Sequence, residues 1–182
     1  MSVNAEVVID LVDSQPTPRE FRNALGRFAT GVTVITTRSS SGKAEGLTAN
    51  SFSSVSLDPP LVLWGLRDGA PSMTTFVESG FFAINVLSAQ QQHHSRHFST
   101  AAADKFSGVT WSNGYGGCPL LEDCVAQFEC RTEKIVSAGD HQLFIGRVVR
   151  ASYRQGEPLL FHAGAYHAVA PLLAVTKSAN AG

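Results

Sequence analysis

Six hydroxyl or amide side chains fall within nine residues, Thr48-Ala49-Asn50-Ser51-Phe52-Ser53-Ser54-Val55-Ser56, between two apolar stretches. Such side chains, together with the backbone N–H groups of a turn, can hold a phosphate without lysine or arginine. A polar edge strand has the same composition, so the segment alone admits both readings. His141 follows Gly139-Asp140 at the start of a strand pattern. A carboxylate beside an imidazole can orient it or favour its charge. A turn histidine can equally make only a local hydrogen bond. His93, His94 and His97 lie on a short helical stretch, with His93 and His97 four residues apart on one face. That spacing suits two metal ligands, but no glutamate follows His93 and no third ligand is evident. The expectation is a solvated helix face and no metal. Tyr166, within Phe161-His162-Ala163-Gly164-Ala165-Tyr166-His167, is either a stacking ring or core.

The common phosphate and nucleophile loops are missing. There is no GxGxxG after a strand, no GxxxxGK[ST] and no GxSxG. Gly114-Tyr115-Gly116-Gly117 is rich in glycine but sits beside Cys118-Pro119 without a strand-to-helix context, and reads as a loop. Cys118, Cys124 and Cys130 stand six apart, which is neither a CxxC hook nor an even disulfide framework. Cys130 alternates with Phe128 and Ala126 on a strand face, as a buried structural thiol would.

These residues must be held by strands, with few helices. Residues 1–16 read as a loose arm. Thr17, Pro18 and Glu20 then form a capping box that opens a helix, with Phe21, Leu25 and Phe28 on a core-covering face and Gly31 as its stop. Gly31 to Arg38 is a β-branched strand ending in the turn Ser39 to Lys43. Residues 45–56 return as a second strand and its extension. Leu61 to Leu66 and Phe81 to Leu87 are apolar strands; Val125 to Val136 and Gln142 to Tyr153 are long and alternating. Leu159 to Phe161 is short. Two brief helices are expected near 71–78 and 89–98, the second opened by a Ser88/Gln91 capping box. Without a regular alternation of strand and helix, the pattern predicts a mainly β protein, a closed or partly closed antiparallel barrel.

A chain of 182 residues with 43% hydrophobic residues has room for one domain with a real core. A net charge of -1 argues against a nucleic-acid partner. The first 15 residues carry Glu6, Asp10 and Asp13 and no lysine or arginine, unlike a secretory signal. No stretch approaches the ~18 apolar residues of a membrane span. A cytoplasmic protein is expected. Charged residues are only 16% of the chain, against about 25% in an average soluble protein. Either uncharged polar residues clothe the surface, or part of the outside is covered.

From about residue 20 to 170 the chain resembles the short flavin reductases that supply two-component monooxygenases. The matching stretches are Phe21 to Thr36, Gly46-Leu47-Thr48-Ala49-Asn50-Ser51-Phe52, Ser56 to Val62, Phe82 to Leu87 and Asp104-Lys105-Phe106. They continue with Gly139-Asp140-His141 through Gly146 and Pro158 to Tyr166. Residues 171–182 form a tail outside it.

The resemblance implies a Greek-key, flavin-binding split barrel over 17–170 with a few short flanking helices. It implies a homodimer with the flavin at the subunit boundary. FMN or FAD would be the flavin and NADH or NADPH the hydride donor, with a flavin-dependent monooxygenase taking the product. Gly46, Leu47, Thr48, Ala49, Asn50 and Ser51 would contact the flavin, with Ser54 and Ser56 beside them. Asn85, Val86 and Leu87 would lie along the ring through backbone groups. Lys105 and Phe106 would approach the phosphate, and Trp64, Ser72 and Tyr166 would be neighbours. His141 would sit where the nicotinamide stacks. Two other readings stand beside this one: a split barrel that keeps its flavin for electron transfer or oxidation, and a non-enzymatic barrel holding some other anion.

Overall fold

The computed structural model describes residues 7–12, 17–102 and 104–170. The expected tail at 171–182 and most of the arm at 1–16 lie outside the described residues. Helix α1 (Pro18–Leu25) opens on the expected capping box: the Thr17 hydroxyl accepts from the Glu20 N–H at 3.3 Å, and the Glu20 carboxylate accepts from the Thr17 N–H at 2.8 Å. The rest of that expectation needs correcting. The helix stops at Gly26, not Gly31, and buries none of its residues. Phe21, Leu25 and Phe28 are 44%, 59% and 78% exposed, because the fold lays no strand across them.

The strands that follow are β1 (Thr30–Gly31), β2 (Thr33–Arg38), β3 (Ala44–Ala49), β4 (Ser53–Leu57) and β5 (Pro60–Arg67). After α2 (Met73–Ser79) come β6 (Phe81–Val86), α3 (Gln92–Ser99), β7 (Trp111–Asn113) and β8 (Pro119–Leu121). The chain continues with β9 (Ala126–Ala138), β10 (His141–Tyr153), β11 (Leu160–His162) and β12 (Ala165–His167). The expected single strand from Gly31 breaks at Val32, whose N–H goes to Leu159 and whose carbonyl takes Leu87. That break hands β1 to a small sheet with β11 and β12.

The main sheet is antiparallel with seven strands in the order β3-β2-β6-β9-β10-β5-β4. Thr33 to Thr37 of β2 are buried at every position, so the β-branched run packs on both faces instead of alternating. The β9–β10 hairpin turns at Gly139-Asp140, where Gly139 takes φ +63°, a conformation that costs glycine nothing. The two edge strands, β3 and β4, are consecutive in the chain, joined only by Asn50, Ser51 and Phe52. So short a link forces the sheet to curl until its edges approach. The result is a mainly β, partly closed barrel whose seam is not zipped by a ladder.

The core forms around Trp64, which stacks on Phe144 with centroids 4.7 Å apart and meets Phe76 edge-on at 4.9 Å. The Ser88/Gln91 capping box is present, and α3 follows it. The glycine-rich loop is structural: buried Glu129 accepts from the Tyr115 N–H and pairs with Arg150 at 3.4 Å. All three cysteines are free and buried; desolvation pushes Cys118 up to about 11 and Cys124 and Cys130 up to about 12, so they are inert at neutral pH.

Asn85 is wholly buried in the middle of β6. Its amide N–H groups reach Val34 O at 3.1 Å and Thr36 Oγ1 at 3.3 Å, and its oxygen accepts from Leu121 N at 2.9 Å and Gln127 Nε2 at 3.0 Å. One side chain thus bolts β6 to β2, β8 and β9. Asn85→Ala strands several of these buried groups and should lower unfolding stability by about 2–3 kcal/mol in a denaturant titration.

Candidate functional site

The seam has a physical origin. Strand β5 pairs with β10 from Leu61 to Arg67, but β4 covers its other side only from Pro60 to Leu63. The outer side of Trp64 to Arg67 therefore has no strand. Ser51 supplies a substitute: its hydroxyl accepts from Gly65 N at 3.0 Å and donates to Gly65 O at 3.2 Å. A cleft of about 600 Å³ opens between this bare stretch and edge strand β3. Glu45, Gly46 and Leu47 wall it on one side, Leu66 and Ala70 to Ser72 on the other, with Ala101, Ala102 and Lys105 closing the end.

Of the residues singled out in the sequence, Gly46, Leu47, Ser72 and Lys105 line this cleft. The polar segment beside it is pinned. Thr48 donates to Ser95 O at 2.6 Å, the Ala49 carbonyl accepts from the Thr33 hydroxyl at 2.7 Å, and Asn50 donates to Thr30 Oγ1 at 3.2 Å. Ser54 and Ser56 sit on β4 across a register shift, Ser54 exposed and Ser56 half-buried. Tyr166 shares a hydrogen bond with Ser95 at 2.9 Å and packs on Phe161, so it braces α3. Val86 is half-buried.

Three of the expected contact residues are buried in the single chain. Trp64, Asn85 and Leu87 are 0% exposed. Trp64 is the centre of the core, and the Asn85 amide is spent on protein partners. Central strand β6 has neighbours on both sides, and the Leu87 N–H and carbonyl go to Val32 and Leu159, so the backbone of 85–87 is committed as well. All three support the site from behind. Phe106 does the same, packed against Phe98 at 5.2 Å and Trp111 at 5.7 Å.

Lys105 is held with care. Its ammonium donates to Phe98 O at 2.9 Å and Gly46 O at 3.2 Å, which leaves one of its three N–H donors for a ligand. Burial pushes its pKa below the ordinary lysine value, and Glu45 opposes that. Its own carbonyl lies 2.8 Å from His97 Nε2. His97 therefore braces the lysine, a role that its helical spacing with His93 did not signal. Lys43 and Glu45, joined at 2.7 Å, were also missed, since one read as a turn residue and the other as plain strand. Among the described residues no three His, Cys, Asp or Glu side chains gather to hold a metal.

His141 opens β10, its Nδ1 2.8 Å from Asp140 Oδ1. That hydrogen bond holds the Asp140 carboxyl below its usual range. A side chain at Gly65 would stand 3.8 Å from both His141 Cδ2 and Ser51 Oγ. Ser51, Gly65 and His141 thus form one continuous strip along the seam. An anionic molecule such as a flavin phosphate fits these features: a cleft of ligand size that ends at a lysine with one N–H left over.

The flavin reductase like domain family matches residues 25–170. The chain is 46% identical over 148 residues to an FMN reductase (NADH) of Agrobacterium fabrum, covering 81% of this chain and 84% of the relative. It is 39% identical over 155 residues to the reductase subunit of a flavin-dependent monooxygenase of Rhodococcus jostii, covering 85% and 79%. A probable flavin reductase of Rhizobium meliloti is 49% identical over 131 residues; the match covers 72% of this chain but only 42% of that longer protein. Among solved structures, the NADH:FAD oxidoreductase of Streptomyces globisporus superposes with a TM-score of 0.83 at 38% identity, covering 92% of this chain and 99% of that one. A family match across most of the chain, a shared fold and a seam cleft suited to a flavin agree, and the chain belongs to the flavin reductase like domain family.

Proposed function

We propose that this protein reduces a flavin with NADH and delivers the product to a flavin-dependent monooxygenase. The observation that carries the reading is the seam: a ligand-sized cleft that ends at Lys105, beside the stretch of β5 where Ser51 caps Gly65. The Agrobacterium relative, with its NADH and FMN, and the Streptomyces enzyme, with FAD, support the chemistry; the Rhodococcus subunit supports the partner. A flavin held there would supply the hydride-accepting chemistry, with NADH as the donor. The protein's part is placement. Lys105 offers its remaining N–H to the anionic end. Ser51 holds the bare edge of β5 in position. Asp140 takes the Nδ1 proton of His141 as a hydrogen bond, which orients the imidazole and leaves Nε2 for the nicotinamide side. Hydride transfer itself requires no side chain to move a proton.

We also place the protein as a homodimer. Phe21, Leu25 and Phe28 around α1, and Leu57 at 94% exposure on edge β4, leave apolar surface that the single chain does not cover. Three free buried thiols fit a reducing compartment such as the cytoplasm.

NADH oxidation, followed at 340 nm, should depend on added FMN or FAD. His141→Ala should raise the KM for NADH about ten-fold while flavin affinity stays close to wild type; equal loss of both would remove the nicotinamide role. Stoichiometric flavin retained through purification, with no turnover of added flavin, would replace the reductase by an electron-transfer protein. Sedimentation at micromolar concentration should give a dimer, and a monomer would leave the α1 face unexplained.

A further inference from the structure

Lys105 ends the seam cleft, yet the stretch of chain that carries it is sparsely held. Among its described residues, Ala101, Ala102, Asp104 and Lys105, no main-chain group hydrogen-bonds to another main-chain group. The Lys105 carbonyl finds a side chain instead, His97 Nε2 at 2.8 Å. A carbonyl only accepts, so Nε2 carries the proton and donates. The His97 ring also meets Phe98 edge-on, with centroids 5.4 Å apart.

The other end of the lysine is fixed from the same helix. Its ammonium donates to the carbonyl of Phe98, next to His97 on α3, and to that of Gly46 on β3. Gly46 lies this close because it has no side chain: a Cβ there would stand 3.0 Å from the Phe98 ring and 3.1 Å from the Phe106 ring. Helix α3 thus grips Lys105 at both ends, at the backbone through His97 and at the ammonium through Phe98. A four-carbon stem can reach two carbonyls from more than one backbone position. His97 removes that freedom. A donor ordered in advance binds an anion without the cost of ordering it on binding.

We propose that His97 is a positioning residue for the phosphate end of the flavin. By pinning the Lys105 backbone it fixes where the remaining ammonium N–H can be offered. It thereby sets the preference for a phosphorylated flavin over riboflavin, without touching either. This deepens the reductase reading and rests on Lys105 as the contact to the anionic end.

FMN and riboflavin differ only in the phosphate, so their affinity ratio isolates this effect. Quenching of flavin fluorescence gives both affinities for wild type, His97→Phe, His97→Leu, His97→Gln and Lys105→Gln, each checked for a cooperative thermal melt. Phe keeps a ring against Phe98 and Leu keeps apolar bulk, but neither has a donor; Gln restores an N–H. Wild type should prefer FMN, and His97→Phe or His97→Leu should lower the FMN-to-riboflavin ratio about five-fold, the scale of one neutral hydrogen bond. His97→Gln should recover most of that ratio. A folded donor-less variant that keeps the wild-type ratio would overturn the proposal. So would equal weakening of FMN and riboflavin, which a merely structural role gives, or a His97→Gln as poor as His97→Phe. Lys105→Gln reports separately on the contact itself. If it lowers the ratio while the His97 variants do not, the inference fails and the Lys105 contact stands. If it keeps the wild-type ratio, or if wild type binds both flavins equally, the Lys105 contact fails and the inference with it.

Discussion

A sheet that must curl but cannot close sets the rest of the molecule. Its outermost strands, β3 and β4, are neighbours in the chain, so the three residues between them draw the edges together. Because β4 leaves β5 after Leu63, the remaining backbone of β5 faces β3 across a gap too wide for a ladder. Unpaired backbone in such a gap is costly unless something satisfies it. Ser51 does so at Gly65, and the rest of the gap becomes the cleft. The proposed site is thus the unclosed part of the barrel, not a pocket added to a finished one.

Such a seam stays open only if its walls are stiff. On one side Trp64, next to Gly65 in β5, is locked between Phe144 and Phe76. On the other, Asn85 ties β6 to β2, and β2 carries β3. Lys105 closes the end through two backbone carbonyls and is itself braced by His97. Most of the polar residues near the seam are spent on hydrogen bonds within the protein.

Much of this was legible in the sequence where local chemistry decides structure. Both capping boxes, the long β9–β10 hairpin and the position of His141 follow from short-range signals. The run of Ser, Thr and Asn between two strands marked the seam. What the sequence did not show are effects of tertiary placement. Phe21, Leu25 and Phe28 have the spacing of a core face, but the fold leaves them uncovered. Asn85 is a polar residue in an apolar run, and on a strand buried on both faces such a residue goes inward and serves the core. Trp64 is hidden because it falls on the inward face of alternating β5, between Val62 and Leu66. Residues 45–56 read as one strand with an extension because only the sheet order reveals that its halves lie on opposite edges. Lys43 and Glu45 gave no signal, since their place in the cleft wall depends on Ala101, Ala102 and Lys105 opposite them.

The most direct test of the seam as the flavin site is a crystal structure of the protein soaked with FMN. The ring should lie between β3 and the uncovered end of β5, beside Gly65, with the phosphate within hydrogen-bond distance of Lys105 Nζ. Flavin density elsewhere, for example in the shallow cavity around Asp123 and Arg154, with the seam cleft filled only by solvent, would contradict it.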